Sequence, residues 1–421
     1  MHRPLLKPAL TCTAVLLATA CGSSTESQGN HVAHLEAASV DMAQPARGLS
    51  YDALSAGMRN VGSELAGKVP TGNGNLVLSP ASLGIAFAML REGASGQTAQ
   101  EIDRVLQLPA NRQAAYNGLI HALADPSAGN VLAVNDGLFI DPSLTVERSY
   151  LDAIKKWYGA GVEQVEFPNP ALSVINGWVK DKTRGRIPRL LPQLDPTSVF
   201  ALVNTVYLNA KWQTPFSADK TSPAAFTVSP GNAVTVQTMH MTSELDYASG
   251  PGWQAMRLPY QGNQLSMWVL LPSDQAGTGG QGGHANPLSL LSAATLARAG
   301  QGFAKHSVEL SLPRWDTNTA GNITAVLKQL GMRHTFDGAG NFDALTKDGR
   351  FAVTDVVQQA NITVGEKGTE AAAATAIIGR LSAVAPPADL VRFDANHPFA
   401  FAVMHDRTGV PLFEGVVGNP S

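Results

Sequence analysis

The sequence predicts an α+β fold in one large domain spanning residues 51–421. Three observations carry this. Apolar residues recur at helical spacing chiefly in the first third of the chain. In the remainder they mostly alternate or run continuously, as in strands. No internal repeat or convincing linker divides residues 51–421, and runs of helices followed by runs of strands mark α+β order. Hydrophobic residues make up 44% of the 421, which allows a sizeable core, and the net charge is only -3. That balance gives no basic face for nucleic acid and no acidic disordered tail.

The elements follow in order. Leu54, Met58, Val61 and Leu65 fall at helical spacing. Leu76–Leu78 reads as a short strand, and Ser79-Pro80 as an N-cap with proline at the first helical position. Leu83, Ala86, Phe87 and Leu90 then form one apolar face, ended by Gly93. A second helix starts near Thr98, with Ile102, Val105 and Leu106 inward. Val131–Ile140 is strand-like, Tyr150–Tyr158 helical, and Ala201–Leu208 an apolar strand. Leu265–Leu271 is a nearly continuous apolar run, as in a buried strand. Val308, Leu310 and Leu312 alternate; Ile323, Val326, Leu327 and Leu330 return to helical period and stop at Gly331. Residues 399–417 read as strand with a turn at Asp406–Gly409.

The N-terminus reads as an address. Arg3 and Lys7 precede an apolar stretch from Ala9 to Ala20, with small residues before Cys21. Residues 1–20 resemble a bacterial lipoprotein signal cut before Cys21, which would then carry lipid. Ala18 stands where such signals usually have Leu, so an ordinary secretory signal is the alternative. The expectation is an exported chain held in the cell envelope, at the outer membrane if there is one, or secreted. Residues 21–50, rich in Ser, Gln, Ala and Gly, read as a flexible tether. The only cysteines are Cys12 and Cys21, which excludes a disulfide scaffold and a cysteine zinc site.

Enzyme motifs are missing from the sequence. It contains no G-x-S-x-G elbow, no H-E-x-x-H and no Walker A loop, and its ten histidines are scattered. His31 and His34 sit in the tether and read as surface histidines. Gly277–Gly282 matches G-x-G-x-x-G, but Pro272 and Ser273 end the preceding strand, and no helix follows directly. It is a glycine loop. No enzyme, metal or cofactor is expected.

Residues 365–375, GEKGTEAAAAT, favour helix by propensity. The upstream pattern opposes this: Val356, Gln358, Ala360, Ile362, Val364 and Glu366 alternate with Thr, Asn and Gln as in a half-buried strand. The stretch DVVQQANITVGEKGTEAAAATA resembles the last long strand and hinge of serpins, the serine protease inhibitors. NLVLSPASLGIAFAMLREGASGQTAQEI, INGWVKDKTRGRIPRLL, LVNTVYLNAKW, LPYQGNQLSMWVLLP, LPRW, HPFAFAV and PLFEGVVGNP are similar to further family segments, in family order. The resemblance covers essentially residues 51–420.

The resemblance implies three β-sheets, about nine helices and an exposed reactive-centre loop. It implies an irreversible inhibitor consumed in one turnover: the protease cleaves the loop, which inserts as a strand into the central sheet. Such insertion is a release of stored strain. The alternative is a non-inhibitory surface protein that binds or scaffolds a partner. The hinge is Glu366, Gly368, Thr369, Glu370, Ala371, Ala372, Ala373, Ala374 and Thr375, whose small side chains suit entry into a sheet. Thr369 is expected to be solvated before cleavage and buried after it. Trp212, Arg314 and Glu366 match the top of the sheet, where insertion starts. Ser79, Ser82 and Asn204 match the mid-sheet opening, and Gln358 stands where most members have a titrating His. Gln still donates and accepts but does not titrate.

Counting from Glu366, a usual loop length puts the reactive bond at Ser382-Ala383; shorter loops give Leu381 or Arg380. A small or apolar residue there points to elastase-, subtilisin- or chymotrypsin-like proteases, and Arg380 to a trypsin-like one. Residues 111–124 hold only Arg112 among Lys and Arg, so no polyanion cofactor is expected. The expected partners are a serine protease and, through lipid on Cys21, a membrane; the protein is expected to be a monomer.

Overall fold

The computed structural model describes residues 32–71, 74–124, 131–185, 187–273, 286–336, 338, 340–349, 351–369 and 390–421. Eight α-helices lie among them. α1 (Asp52–Ala66) buries Leu54, Met58, Val61 and Leu65, the stripe read in the sequence. α2 (Pro80–Gly93) starts at Ser79, whose hydroxyl accepts from the Ser82 N–H, and it is buried on nearly all sides. α3 (Gly96–Val105) buries Ile102 and Val105, and α4 (Arg112–Leu123) buries Tyr116 and Leu119. α5 (Arg148–Tyr158) buries Tyr150 and Ile154 and ends at Gly159 in the left-handed region. α6 (Asn169–Lys182) buries Ile175 and Val179. α7 (Ala293–Gly302) is capped by Ser292 and buries Leu296. α8 (Thr324–Gln329) is short and buries Val326 and Leu327.

The strands are β1 (Ala33–Leu35), β2 (Leu76–Leu78), β3 (Val131–Ile140), β4 (Val162–Gln164), β5 (Phe200–Lys211), β6 (Ser222–Ser229), β7 (Asn232–Gly250) and β8 (Trp253–Pro259). They continue with β9 (Leu265–Pro272), β10 (Ala304–Pro313), β11 (Trp315–Asn322), β12 (Asp355–Gly365), β13 (Gly368–Thr369), β14 (Val391–Asp394), β15 (Phe399–His405) and β16 (Val410–Val417). One sheet runs β1-β4-β3-β5-β13-β12-β11. The other runs β14-β10-β7-β8-β9-β15-β16-β2, with β6 also on β7. The expected second and third sheets are joined in it. β7 is 19 residues long, pairing with β6 near its start and β8 near its end, so hydrogen bonding passes from one to the other without a break.

The tether expected over residues 21–50 is corrected from Val32 onward. β1 pairs antiparallel with β4 at the sheet edge. The Ala43 N–H donates to Lys156 O at 2.7 Å, and Ala43 O accepts from Asn117 Nδ2 and from His121 Nε2, each at 3.0 Å. Residues 32–50 therefore belong to the same compact unit as the rest of the domain. Their backbone polar groups find partners there, which a solvated tether would not need.

The main core lies between the two sheets and around α2. A second cluster joins Ile175 and Val179 of α6 to Phe139, Ala201, Val203 and Val357 on the opposite face of the first sheet. β5 and β12 are thus covered on both faces. This explains why residues 201–208 read as an apolar strand and why both Val356 and Val357 are buried.

Candidate functional site

The candidate site is the junction of β5 and β12. The two strands pair in parallel from Ala201–Asp355 to Val206–Ala360 and then part. β13 occupies the space above, antiparallel to both: Thr369 lies opposite Val364 and Ala210, and Gly368 opposite Gly365 and Lys211. Gly368 has φ +145°, and a Cβ there would collide with Ala210 O, so glycine is required for this entry.

Below β13 a polar row crosses three strands. The register sets Asp136 of β3 opposite Asn204 of β5, and Asn204 opposite Gln358 of β12. Asn204 Nδ2 donates to Asp136 Oδ1 and to Ser82 Oγ. Gln358 Nε2 donates to Ser79 O at 3.0 Å and reaches Asn204 Oδ1 at 3.5 Å; Gln358 Oε1 lies 3.5 Å from the Ser79 N–H. Ser79, Ser82, Asn204 and Gln358, chosen from the sequence, are thus brought together and are almost fully buried. Asp136 was missed. Burial pushes its carboxyl up to about 7, and the bond from Asn204 pulls it partly back. Gln358 cannot titrate, but the row it belongs to does.

Above the row, Trp212 and Tyr260 stack with centroids 4.5 Å apart and planes at 13°. Trp212 Nε1 donates to Gly365 O at 2.9 Å, and its N–H to Lys367 O at 2.9 Å. The Phe216 N–H donates to Glu366 O at 2.9 Å. The turn from β12 into β13 is therefore held from the β5 side. Glu366 Oε1 accepts from Arg314 Nε at 2.7 Å, from Arg314 Nη2 and from Thr221 Oγ1 at 2.6 Å. Partial burial pushes the Glu366 carboxyl up, but the Arg314 and Thr221 bonds outweigh it and leave it below the usual range.

Thr369 corrects an expectation. It is 0% exposed, and its Oγ1 lies 2.6 Å from Tyr260 Oη. Two features hold it inside: Gly368 lets the backbone enter, and Tyr260 supplies a buried polar partner for the hydroxyl. Glu370 to Thr375, the candidate bond residues Arg380, Leu381, Ser382 and Ala383, and Cys21 lie outside the described residues. Tyr260 and Thr221 were not singled out from the sequence. Tyr260 sits in the quoted segment LPYQG, and that aromatic at a strand end was the available signal.

The comparisons bear on the fold and the family. A solved structure of Tengpin, described as a thermophilic serpin in the native state, superposes with a TM-score of 0.80 at 23% identity, covering 90% of this chain and 97% of that one. A serpin-like protein of Thermococcus kodakarensis is 33% identical over 85% of this chain and 82% of its own length. Alpha-1-antiproteinase of Rattus norvegicus is 31% identical over 82% of this chain and 84% of its own. The family model for serpins, the serine protease inhibitors, matches residues 56–420, and the chain belongs to that family.

Proposed function

We propose that the protein is an irreversible inhibitor of serine proteases that acts by cleavage of its reactive loop and insertion of that loop between β5 and β12. The observation that carries this reading is β13. Gly368 and Thr369 already lie between those strands, above a parallel seam of six residue pairs. Insertion continues this strand downward and has to part the seam. Trp212, Tyr260, Arg314 and Glu366 hold the entry, and Ser79, Ser82, Asn204 and Gln358 close the path below it. The residues that would follow Thr369 in the gap are Glu370, four alanines and Thr375, small enough for most of them to pass under α6. The bond cut is Ser382-Ala383 or the one after Leu381, with Arg380 the third choice, which favours elastase-, subtilisin- or chymotrypsin-like targets. The chain is exported and carries lipid on Cys21, a reading that rests on residues 1–21 alone.

A panel of serine proteases tests the function. Incubation with the right one should give a complex that survives denaturing gels, together with a C-terminal fragment released by the cut. Cleavage without any such complex across a broad panel would refute inhibition by insertion. Fatty-acid labelling that persists in Cys21→Ala would refute the lipid site and leave the inhibitor reading intact.

A further inference from the structure

Most of the polar row sits where the seam must part, yet its one ionisable member lies one strand away. Asp136 is on β3, which stays paired to β5 over ten residues. It reaches the seam only through Asn204, whose amide nitrogen donates to Asp136 Oδ1 and whose Oδ1 faces Gln358 Nε2 across the seam. We propose that Asp136 is a proton-controlled latch on the gap between β5 and β12: its carboxylate holds the gap shut through Asn204, and protonation releases it.

An ionised carboxylate only accepts, so it fixes the Asn204 NH2 toward itself and toward Ser82 Oγ, and turns Asn204 Oδ1 toward Gln358. In this arrangement each contact of Asn204 supports the next, and the contact across the seam is part of the chain. The Asn204 bond favours the charged form of Asp136, so by reciprocity the proton weakens that bond. A protonated Asp136 carries a donor of its own and no longer dictates which way the amide points. The tie between Asn204 and Gln358 is then lost.

Among the described residues, the other ionisable groups around Asp136 are engaged elsewhere. Its carboxyl borders a cavity of about 420 Å³ whose wall also includes Ile85 and Met89 of α2 and Leu123 of α4. The other ionisable groups there are Tyr158 of α5, Glu163 of β4, His34 of β1 and Lys182 of α6. His34 Nδ1 is 2.8 Å from Glu163 Oε1, Tyr158 Oη is 3.1 Å from Glu92 Oε1, and Lys182 lies over the Trp178 ring. Among the described residues none of them pairs with Asp136.

The latch rests on the insertion reading, and the test separates the two. A synthetic peptide of residues 368–381 is added to the intact protein between pH 6 and 8, and its uptake is followed by native gel shift and by the gain in melting temperature. The peptide is N-acetylated to remove its α-amino group, and its carboxylates and guanidinium do not titrate in this window. Uptake should be about tenfold faster at pH 6 than at pH 8. Asp136→Asn should flatten the profile, Asp136→Ala should do the same, and His34→Gln should keep the wild-type profile. A wild-type profile in both Asp136 variants overturns the latch and leaves insertion standing. Loss of the profile in His34→Gln transfers the control to His34 and also overturns it. No uptake at any pH overturns insertion and the latch together.

Discussion

The hydroxyl of Tyr260 lies 2.6 Å from that of Thr369, with both groups fully buried and Trp212 stacked on the Tyr260 ring. One hydrogen bond thus ties the hinge to the end of β8 before any cleavage. Tyr260→Phe keeps the stack and leaves the Thr369 hydroxyl without that partner. The expected cost is about 1–3 kcal/mol. Urea melts measure it, and amide exchange at Gly368 and Thr369 should speed up in the same variant. Unchanged exchange would show that the backbone pairing alone holds the hinge.

Thr369→Arg acts earlier than an exposed hinge would allow. A cation at a 0% exposed position between two strands has no partner there, and leaving it inside costs several kcal/mol. The expected outcome is expulsion of Gly368 and Thr369 from the sheet in the intact protein, seen as faster exchange. With a protease that the wild type traps, cleaved product should replace covalent complex. Undiminished trapping would contradict insertion through this gap.

The pair of Arg314 and Glu366 should matter more as pH rises. The folded Glu366 carboxyl titrates below its unfolded value, so its stabilisation is present above about pH 4.5 and is lost as pH falls through the lower, folded value. Arg314 is 46% exposed, which reduces the effect to about 1 kcal/mol. Glu366→Gln should lose that amount at pH 7 and progressively less as the pH falls below about 4.5. A difference independent of pH would point to the Thr221 hydrogen bond instead.

Glu414 on β16 has the opposite sign. It is 0% exposed, neither carboxylate oxygen has a hydrogen-bond partner among the described residues, and burial pushes its carboxyl well above the usual range, with Arg59 only partly offsetting this. A Cβ on Gly62 of α1 would collide with Oε2, so the helix accommodates the group by lacking a side chain. With the folded value raised, stability is fully present below about pH 4.5 and is lost as pH rises from there through the higher, folded value. Glu414→Met should stabilise the protein at pH 7.5 by roughly 1–3 kcal/mol. A variant that melts at or below wild type would show that the carboxylate has a polar role.

Residues 32–50 should behave as part of the domain. A chain starting at Tyr51 loses the β1–β4 pairing, the bonds to Ala43 and the contact of Lys155 Nζ with Glu36 at 2.7 Å. Its melting temperature should fall by several degrees; an unchanged value would restore the tether reading.

Much of the fold was legible because its signals are local. The spacing of Leu54 to Leu65, the Ser79-Pro80 cap and the alternation from Val356 to Val364 are each set within a few residues. β1 was not legible: three residues, Ala-His-Leu, carry no period, and their partner lies at residues 162–164. Asp136 was hidden in a stretch read only as strand, since its meaning depends on Asn204, 68 positions on. The burial of Thr369 was misjudged for a different reason. Small residues show where a strand is able to enter, but whether it has entered depends on a balance of free energies that no short pattern encodes.

The parallel seam has a kinetic consequence. Ala201 and Asp355 face each other across 154 positions of sequence, whereas β11 and β12 are separated by a few dozen. Closing so long a loop carries an entropy cost that only the finished contacts offset, so contacts of this separation form slowly. Within this sheet the halves on either side of the seam are therefore expected to pair before the seam closes, an order that pulse-labelled amide exchange would check. The insertion path thus follows the pairing that, within this sheet, joins the most distant parts of the chain.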